Sequence, residues 1–200
     1  MAKVSSTERY HHGNLKAVLL KAAFKMLGKV GLEAFTLREV ALRAGVSHNA
    51  PYRHFKSKED LIAALATESF RQLHKVLEGS TGDISDPAAR VHLIARAYLE
   101  FALENPARFD VMFHSSFTRE QYPEYIAAYT DAWAVLSKSV DDIQNLILPQ
   151  AMAGELLWAG VHGIVELGLA RRLRHGLRPE LEVLVDASVD SLLVGMLRPC

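Results

Sequence analysis

The sequence predicts an all-α protein of about nine helices, with a small N-terminal three-helix domain and a larger helical domain after it. Apolar residues recur three and four positions apart through most of the 200-residue chain, which is the spacing of one helix face. Glycines and prolines divide these segments where helices would end and begin. No segment has the alternating, β-branched pattern of a strand. Half of the residues are hydrophobic, so we expect a globular chain with a real core.

The first helix is predicted from about Asn14 to Val30. Its apolar residues follow the helical period, and its four lysines lie outside that stripe. Gly31 is expected to end the helix, because glycine readily takes the left-handed conformation found at helix C-termini. The small core that this helix forms with the next two is expected to be closed by Phe24, Phe35, Leu37 and Phe55.

Residues 36–61, TLREVALRAGVSHNAPYRHFKSKEDL, predict two short helices and the start of a third. Thr36 to Glu39 fits a capping box, in which the Thr hydroxyl and the Glu carboxylate satisfy the first backbone amides. Gly45 then fits the C-terminal glycine of the first helix. Ser47 is expected to cap a second helix that runs to about Phe55. A helix, a glycine-containing turn and a second helix form a helix-turn-helix.

The second of these helices carries hydrogen-bond donors and rings without any carboxylate. Asn can pair with adenine and Arg with guanine in the major groove, whereas Tyr and helix-start amides suit phosphates. Two lysines around Ser57 add cations at the start of the following helix, so DNA binding is favoured over a merely solvated helix. The candidate DNA-contacting residues are Thr36, Ser47, His48, Asn49, Tyr52, Arg53, His54 and Lys58.

The segment Leu15–Leu65 closely resembles the DNA-binding domain of TetR-family transcriptional regulators. The matching stretches are TLREVA, AGVS and YRHFKSKEDL, which begin at residues 36, 44 and 52. The resemblance implies a DNA-binding domain at 1–57 and a ligand-binding and dimerisation domain at 58–200. It further implies a homodimeric repressor, released from a palindromic operator when a small molecule binds. Pro51 departs from the commoner family pattern, so base contacts near it are not carried over from relatives.

The charge distribution agrees with a DNA-binding N-terminal end. Residues 1–56 hold 10 Lys and Arg against 3 Asp and Glu, a balance of +7, and residues 57–200 hold 13 against 20, a balance of −7. A basic head on an acidic body offers one end to nucleic acid. The acidic body argues against a ligand-independent nucleoid protein that binds DNA without sequence preference. The polar tail at 1–13 is either solvated or a basic arm on the DNA.

The remainder of the chain predicts six further helices, separated by GSTGDISD at 79–86 and by prolines. Asp86 and Pro87 provide an N-cap and a first-turn proline for one of them. The predicted segments are 58 to about 77, 87 to about 105, 106–113, 124 to about 146, 152 to about 175, and 179 to 197.

Aromatic residues concentrate in the middle of this larger domain. Ordinary packing is one interpretation, and a mostly apolar effector pocket between helices is the other. Trp158 with His162 and Gly163 also resembles the signature of a TetR C-terminal subfamily named for Trp, His and Gly. The candidate ligand-binding residues are Phe101, Phe113, Phe117, Tyr129, Trp133, Trp158 and His162.

The last two predicted helices are apolar around more of their circumference than one domain requires. By resemblance, they pair with their counterparts in a second chain as a four-helix bundle. Small residues that would allow close approach are Ala159, Gly160, Gly163 and Ala170, and a second stripe is Leu181, Leu184, Val185, Ser188, Leu192 and Met196.

Other classes of function have weaker support. His162 and Glu166 could share a metal, but two ligands do not make a site, so no metal and no cofactor are predicted. No phosphate-binding loop or nucleophile motif indicates an enzyme. The apolar stretch 151–170 contains Glu155 as well as these two residues, which favours a buried helix in a cytoplasmic protein over a membrane span. With Cys200 as the single cysteine, no intrachain disulfide forms.

Overall fold

The computed structural model describes residues 15–34, 36–174 and 176–197, with side chains except that of Glu33. In these ranges the regular structure is helical, with one isolated bridge between Leu146 and Leu197 and no strand, which confirms the predicted all-α class. Eight α-helices are described: α1 Leu15–Ala34, α2 Leu37–Arg43, α3 Lys58–Thr81, α4 Pro87–Glu104, α5 Pro106–Phe113, α6 Pro123–Asp141, α7 Gln150–Leu169 and α8 Arg178–Met196. Two 3₁₀ turns are also present, Pro51–Arg53 and Arg119–Gln121.

The chain divides into two compact units. The first unit comprises Met1–Ser69 and Ala107–Tyr125, and the second comprises Phe70–Pro106 and Ile126–Cys200. The first unit thus takes in a segment distant in sequence, which contains most of α5 and the 3₁₀ turn after it. Helices α3 and α6 each begin in the first unit and continue into the second.

The core of the first unit is built mainly from α1, α2 and the start of α3. Leu37 and Phe55 are buried in it, as predicted, and Phe24 packs against it half-buried. The predictions for Phe35 and for the tail at 1–13 fall outside the described residues. Fully buried members of this core include Leu19, Ala23, Val40, Leu61, Leu65 and Val111.

Helix α1 changes direction at Gly31, the residue predicted to end it. Gly31 has φ +73° and ψ 176°, and a further helical turn then reaches Ala34. Since a positive φ strains any residue with a Cβ, glycine is the suitable residue at this break.

Helix α7 ends at Leu169, so the predicted end near His175 and Gly176 is wrong. The amide of Arg171 donates to Gly168 O (3.0 Å), and that of Arg172 donates to Leu167 O (2.9 Å). These two bonds form a Schellman motif, and Arg171 has the left-handed φ of +53° that glycine usually supplies there. No glycine marks this helix end, and the sequence pattern therefore misses it. Helix α6 likewise ends at Asp141, about five residues before its predicted end.

Helices α4, α7 and α8 form the core of the second unit. The buried residues of α8 repeat every three or four positions: Leu181, Val185, Val189, Leu193 and Met196. On the surface, Arg96 of α4 donates two hydrogen bonds to the carboxylate of Asp186 on α8, at 2.8 and 2.6 Å. The hydrogen bond from Arg96 holds the pKa of the Asp186 carboxyl below its usual range.

Two glycines of α7 differ in what surrounds them, which gives a matched stability test. A Cβ on Gly168 would lie 2.8 Å from Leu181 Cδ2, and Leu181 is 1 % exposed, so it has little room to move. A Cβ on Gly163 meets nothing within 4 Å. We expect Gly168→Ala to lower the free energy of unfolding by about 1–3 kcal/mol through overpacking. In the monomeric chain, Gly163→Ala should instead raise it by up to about 1 kcal/mol through helix propensity, since the added Cβ contacts nothing in its own chain. Urea denaturation checks both, and equal effects would contradict this packing.

None of the helices in the described part of the chain is long and apolar enough to cross a membrane.

Candidate functional site

Both ends of α2 have the geometry that the sequence predicted. The amide of Glu39 donates to Thr36 Oγ1 (3.3 Å), and the amide of Thr36 donates to Glu39 Oε2 (3.0 Å), which completes the capping box. At the other end, Gly45 has φ +69°, and the amide of Val46 donates to Ala41 O (3.0 Å). This Schellman end turns the chain sharply into the segment that follows.

The predicted second helix of the helix-turn-helix is instead a single 3₁₀ turn, Pro51–Arg53. An α-helix capped by Ser47 would need the amide of residue 51 to donate to Ser47 O. Proline has no amide hydrogen, and its ring crowds that carbonyl. In the structure, Ala50 donates to Ser47 O at 2.9 Å, a shorter-range bond typical of a 3₁₀ turn. Ser47 is therefore not the N-cap, and Ala50, which precedes the turn, makes no side-chain cap.

This recognition segment, residues 47–55, has a buried side and an exposed side. Ala50, Pro51 and Phe55 are buried, and Phe55 is only 2 % exposed. The predicted DNA-contacting residues of the segment are all exposed: Ser47, His48, Asn49, Tyr52, Arg53 and His54. Exposed Arg38 and Arg43 on α2 add cations that the sequence-based prediction omitted, although their charge was visible in the sequence.

A second capping arrangement begins α3 next to two lysines. The amide of Asp60 donates to Ser57 Oγ (3.1 Å), so Ser57 is the N-cap of α3. The amide of Lys56 donates to Asp60 Oδ2 at 2.8 Å. Lys56 is exposed and Lys58 is half-buried. The turn 56–58 therefore combines two cations with helix-start amides, a combination suited to a phosphate group.

The predicted effector residues are divided between the two units. Phe113 and Phe117 belong to the first unit, where the Phe113 ring lies 4.8 Å from that of Phe109. The Phe117 ring packs edge-on against Tyr122 and Tyr125, with centroids 5.3 and 5.0 Å away. Phe117 also packs against the core of that unit. These contacts account for both phenylalanines as packing residues.

In the second unit, the structure brings Trp133, Trp158 and His162 together. The two indoles meet edge-on at 6.3 Å between ring centroids, and His162 stacks on Trp158 at 4.9 Å. His162 Nδ1 and the Tyr98 hydroxyl are hydrogen-bonded at 2.7 Å. The sequence did not identify Tyr98 as the partner of His162.

The protonation of this tryptophan–histidine cluster follows from its contacts. Burial raises the pKa of the Tyr98 phenol well above its usual value, so the hydroxyl keeps its proton. His162 Nε2 lies 3.6 Å from a carboxylate oxygen of Glu166, and a carboxylate can only accept. A neutral His162 therefore carries its proton on Nε2, and its Nδ1 accepts the hydrogen bond from Tyr98.

The other two predicted effector residues of the second unit, Phe101 and Tyr129, differ in exposure. Phe101 is buried at 2 % exposure on α4. Tyr129 is 38 % exposed and meets Phe70 edge-on at 5.5 Å.

An open cleft of about 530 Å³ is present elsewhere in the second unit, at the C-terminal ends of α3 and α6. Its lining is largely charged, and none of the predicted effector residues contributes to it. The charged and titratable residues of the lining are His74, Glu78, Arg90, Asp131, Lys138 and Asp142. Among the residues the structure describes, no three His, Cys, Asp or Glu side chains form a group able to hold a metal ion.

Two family models match separate parts of the chain. Residues 19–65 match the family model described as bacterial regulatory proteins, tetR family. Residues 91–192, half of the chain, match the model described as tetracyclin repressor-like, C-terminal domain. The chain belongs to the TetR family. It is accordingly a DNA-binding transcriptional regulator, and its assignment to the Trp-His-Gly subfamily stays a prediction.

Individual relatives are similar to this TetR-family chain over a third of its length or over nearly all of it. The uncharacterized HTH-type transcriptional regulator YvkB of Bacillus subtilis is 36 % identical over 66 residues, which span 33 % of this chain and 35 % of that protein. An HTH-type transcriptional regulator of Mycobacterium bovis is 24 % identical over 92 % of each chain. A protein of unknown function from Rhodococcus sp. RHA1 has a similar structure, with TM-score 0.81 and 29 % identity over 94 % of this chain and 98 % of that one.

Proposed function

We propose that this TetR-family chain is a repressor that binds a palindromic operator as a homodimer and is released when a small molecule binds its second unit. The observation that carries the proposal is the recognition segment. Buried Ala50, Pro51 and Phe55 anchor it, while six polar or aromatic side chains remain exposed without a carboxylate among them. Because chromosomal DNA is the proposed partner, we expect the protein in the cytoplasm.

The exposed side chains divide by chemistry into base-reading and phosphate-binding groups. Asn49 and Arg53 have the paired hydrogen-bonding groups that recognise adenine and guanine in the major groove. Tyr52 and Lys58 suit phosphates, which position the head but carry no sequence information. Since only Pro51–Arg53 is helical, as a 3₁₀ turn, the segment presents its side chains with a different rotation from a full α-helix. His48 precedes Asn49 and His54 follows Arg53 in the sequence. Thr36 and Ser47 lie at the starts of the two predicted helices.

Two substitutions separate these roles. Asn49→Ala is expected to relax preference at one or two base positions, with a cost of about 1–3 kcal/mol for each base that the side chain recognises. Lys58→Ala is expected to weaken binding to all sequences alike and to reduce the slope of log affinity against log salt by about 1. Binding measured against the selected site and its single-base variants at several salt concentrations checks both. A uniform loss for Asn49→Ala, or a changed base preference for Lys58→Ala, would contradict the assignment.

The proposed dimer surface combines the exposed apolar faces of α7 and α8. On α7, Met152, Leu156 and Leu167 are 49 %, 41 % and 42 % exposed, and their spacing puts them on one face. On α8, Val183 and Val194 are 66 % and 74 % exposed. Apolar faces of this kind mark interaction sites, and a two-fold dimer of heads suits a palindromic operator.

The proposed effector binds at the tryptophan–histidine cluster. Its rings offer an apolar surface, and the hydrogen-bonded Tyr98 and His162 supply polar groups that can fix a ligand's orientation. We therefore expect a largely apolar, ring-containing effector with at least one hydrogen-bonding group. Phe101 and Tyr129 remain candidate contacts in the same unit, and Phe113 and Phe117 remain candidates with weaker support because both are packed in the first unit.

Intrinsic fluorescence provides a direct effector screen, since both tryptophans of the chain lie in the cluster. A bound effector should change the emission, and the same compound should release DNA at matching concentrations. A compound that releases DNA without changing the emission would place the effector site elsewhere.

Selection of bound DNA from a random pool, with molecular mass measured in parallel, tests the regulator itself. An enriched palindrome bound by dimers supports the proposal. Binding without sequence preference, strongly weakened by salt, would instead favour a ligand-independent DNA-binding protein.

A further inference from the structure

The carboxylate of Asp60 connects two parts of the first unit that are far apart in sequence. Its Oδ2 accepts the amide of Lys56 at 2.8 Å. Its Oδ1 accepts the hydroxyl of Tyr122 at 3.0 Å, across a sequence separation of 62 residues. Both oxygens of one side chain are therefore engaged, one by the lysine-containing turn and one by the segment that leads into α6.

Tyr122 is well placed to hold this carboxylate in one orientation. Its ring packs edge-on against Phe117, which in turn packs edge-on against Tyr125 and against the core of the unit. Burial and the hydrogen bond with Asp60 raise the pKa of the Tyr122 phenol, so it remains a donor at neutral pH. A hydrogen bond to a charged acceptor is among the stronger ones in proteins.

The hydrogen bond from Tyr122 to Asp60 affects the backbone of residues 56–58. A carboxylate bound on one oxygen only can rotate away from the Lys56 amide, whereas a second donor fixes its plane. We propose that Tyr122 is a positioning residue for DNA binding, which acts through Asp60 to hold the turn 56–58 in its phosphate-binding conformation. This inference rests on the proposed DNA-binding function and adds a residue that lies about 60 positions beyond the head motif.

The first test is DNA affinity as a function of salt for Tyr122→Phe, which removes only the hydroxyl. We expect a loss of about fivefold, equal for all DNA sequences, and a smaller salt slope because a phosphate contact is weakened. Asp60→Ala should reproduce the loss, and adding Tyr122→Phe to it should change nothing further. Glu59→Ala is the matched control: it removes the same charge from the same helix turn, and Glu59 is exposed. An unchanged affinity and salt slope in Tyr122→Phe would overturn the proposal.

Amide hydrogen exchange gives a second readout that needs no DNA. The Lys56 amide should exchange about tenfold faster in Tyr122→Phe, while the Val46 amide, bonded to Ala41 O at 3.0 Å, should keep its rate. Equal acceleration of both amides would indicate general destabilisation and overturn the positioning role. If the wild-type protein selects no DNA, the proposed function fails, and the exchange rate of Lys56 alone then decides whether Tyr122 positions this turn.

Discussion

Glutamate in place of Val194 is expected to convert the proposed dimer into monomers. Val194 is 74 % exposed on α8, within the proposed dimer surface. Two-fold symmetry introduces the charge twice, once from each chain. Like charges brought together at an interface cost several kcal/mol, and about 4 kcal/mol corresponds to a roughly thousandfold weaker dimer.

Sedimentation velocity measures this change, and Ile84→Glu serves as the control. Ile84 is 43 % exposed in the same unit but lies in the segment between α3 and α4. The Ile84→Glu substitution should leave the molecular mass and the operator affinity unchanged. Val194→Glu should lose operator affinity together with the dimer, because a single head recognises only a half-site. A Val194→Glu protein that remains dimeric would exclude this surface.

The orientation of α8 was the least predictable part of this surface. Its sequence is apolar on several sides, so helical periodicity identifies stripes but cannot decide which stripe faces the core. Leu181, Val185 and Met196, expected at a dimer interface, are buried within the chain at 1 %, 0 % and 3 % exposure. The exposed stripe instead contains Val183 and Val194. Likewise, Gly160, predicted to admit a partner helix, faces Leu192 of its own chain, with 3.0 Å from its ideal Cβ to Leu192 Cδ1.

The head was predicted more fully because its signals are local. A capping box and a C-terminal glycine involve residues at most five positions apart, and both formed as expected around α2. The error at the recognition segment was also local in origin. Pro51 was recognised as unusual, but the prediction kept a full helix there, whereas the missing amide removes the first α-helical hydrogen bond and leaves a 3₁₀ turn.

The contacts of the predicted effector residues, in contrast, could not be predicted from local signals. An aromatic side chain in the middle of a helical chain has many possible partners, and sequence spacing does not select among them. Phe117 packs with Tyr122 and Tyr125, whereas Trp158 packs with Trp133 and His162. The contact between Asp60 and Tyr122 could not be inferred for the same reason, since no local rule connects residues so distant along the chain.

Phe55→Ala is expected to cause a large loss of stability in the first unit. Phe55 ends the recognition segment, is 2 % exposed, and packs in the core formed by α1, α2 and α3. Truncating a buried phenylalanine to alanine costs about 3–5 kcal/mol, because apolar packing is removed and a cavity is left behind. That loss is comparable to the whole stability of many small domains. Chemical denaturation measures this loss of stability, with amide exchange of the α1 and α2 backbone as the readout.

The same substitution distinguishes anchoring from direct DNA contact. Because Phe55 is buried, its loss should weaken binding through disorder of the segment that carries Asn49 and Arg53, equally for every sequence. Phe55→Leu keeps most of the apolar volume and should recover most of both stability and affinity. If Phe55→Ala keeps full stability yet changes base preference, Phe55 contacts DNA itself and the buried side of the segment has been assigned incorrectly. In the proposed interface, DNA recognition by the exposed side chains therefore depends on the buried ring of Phe55, which holds the segment in place.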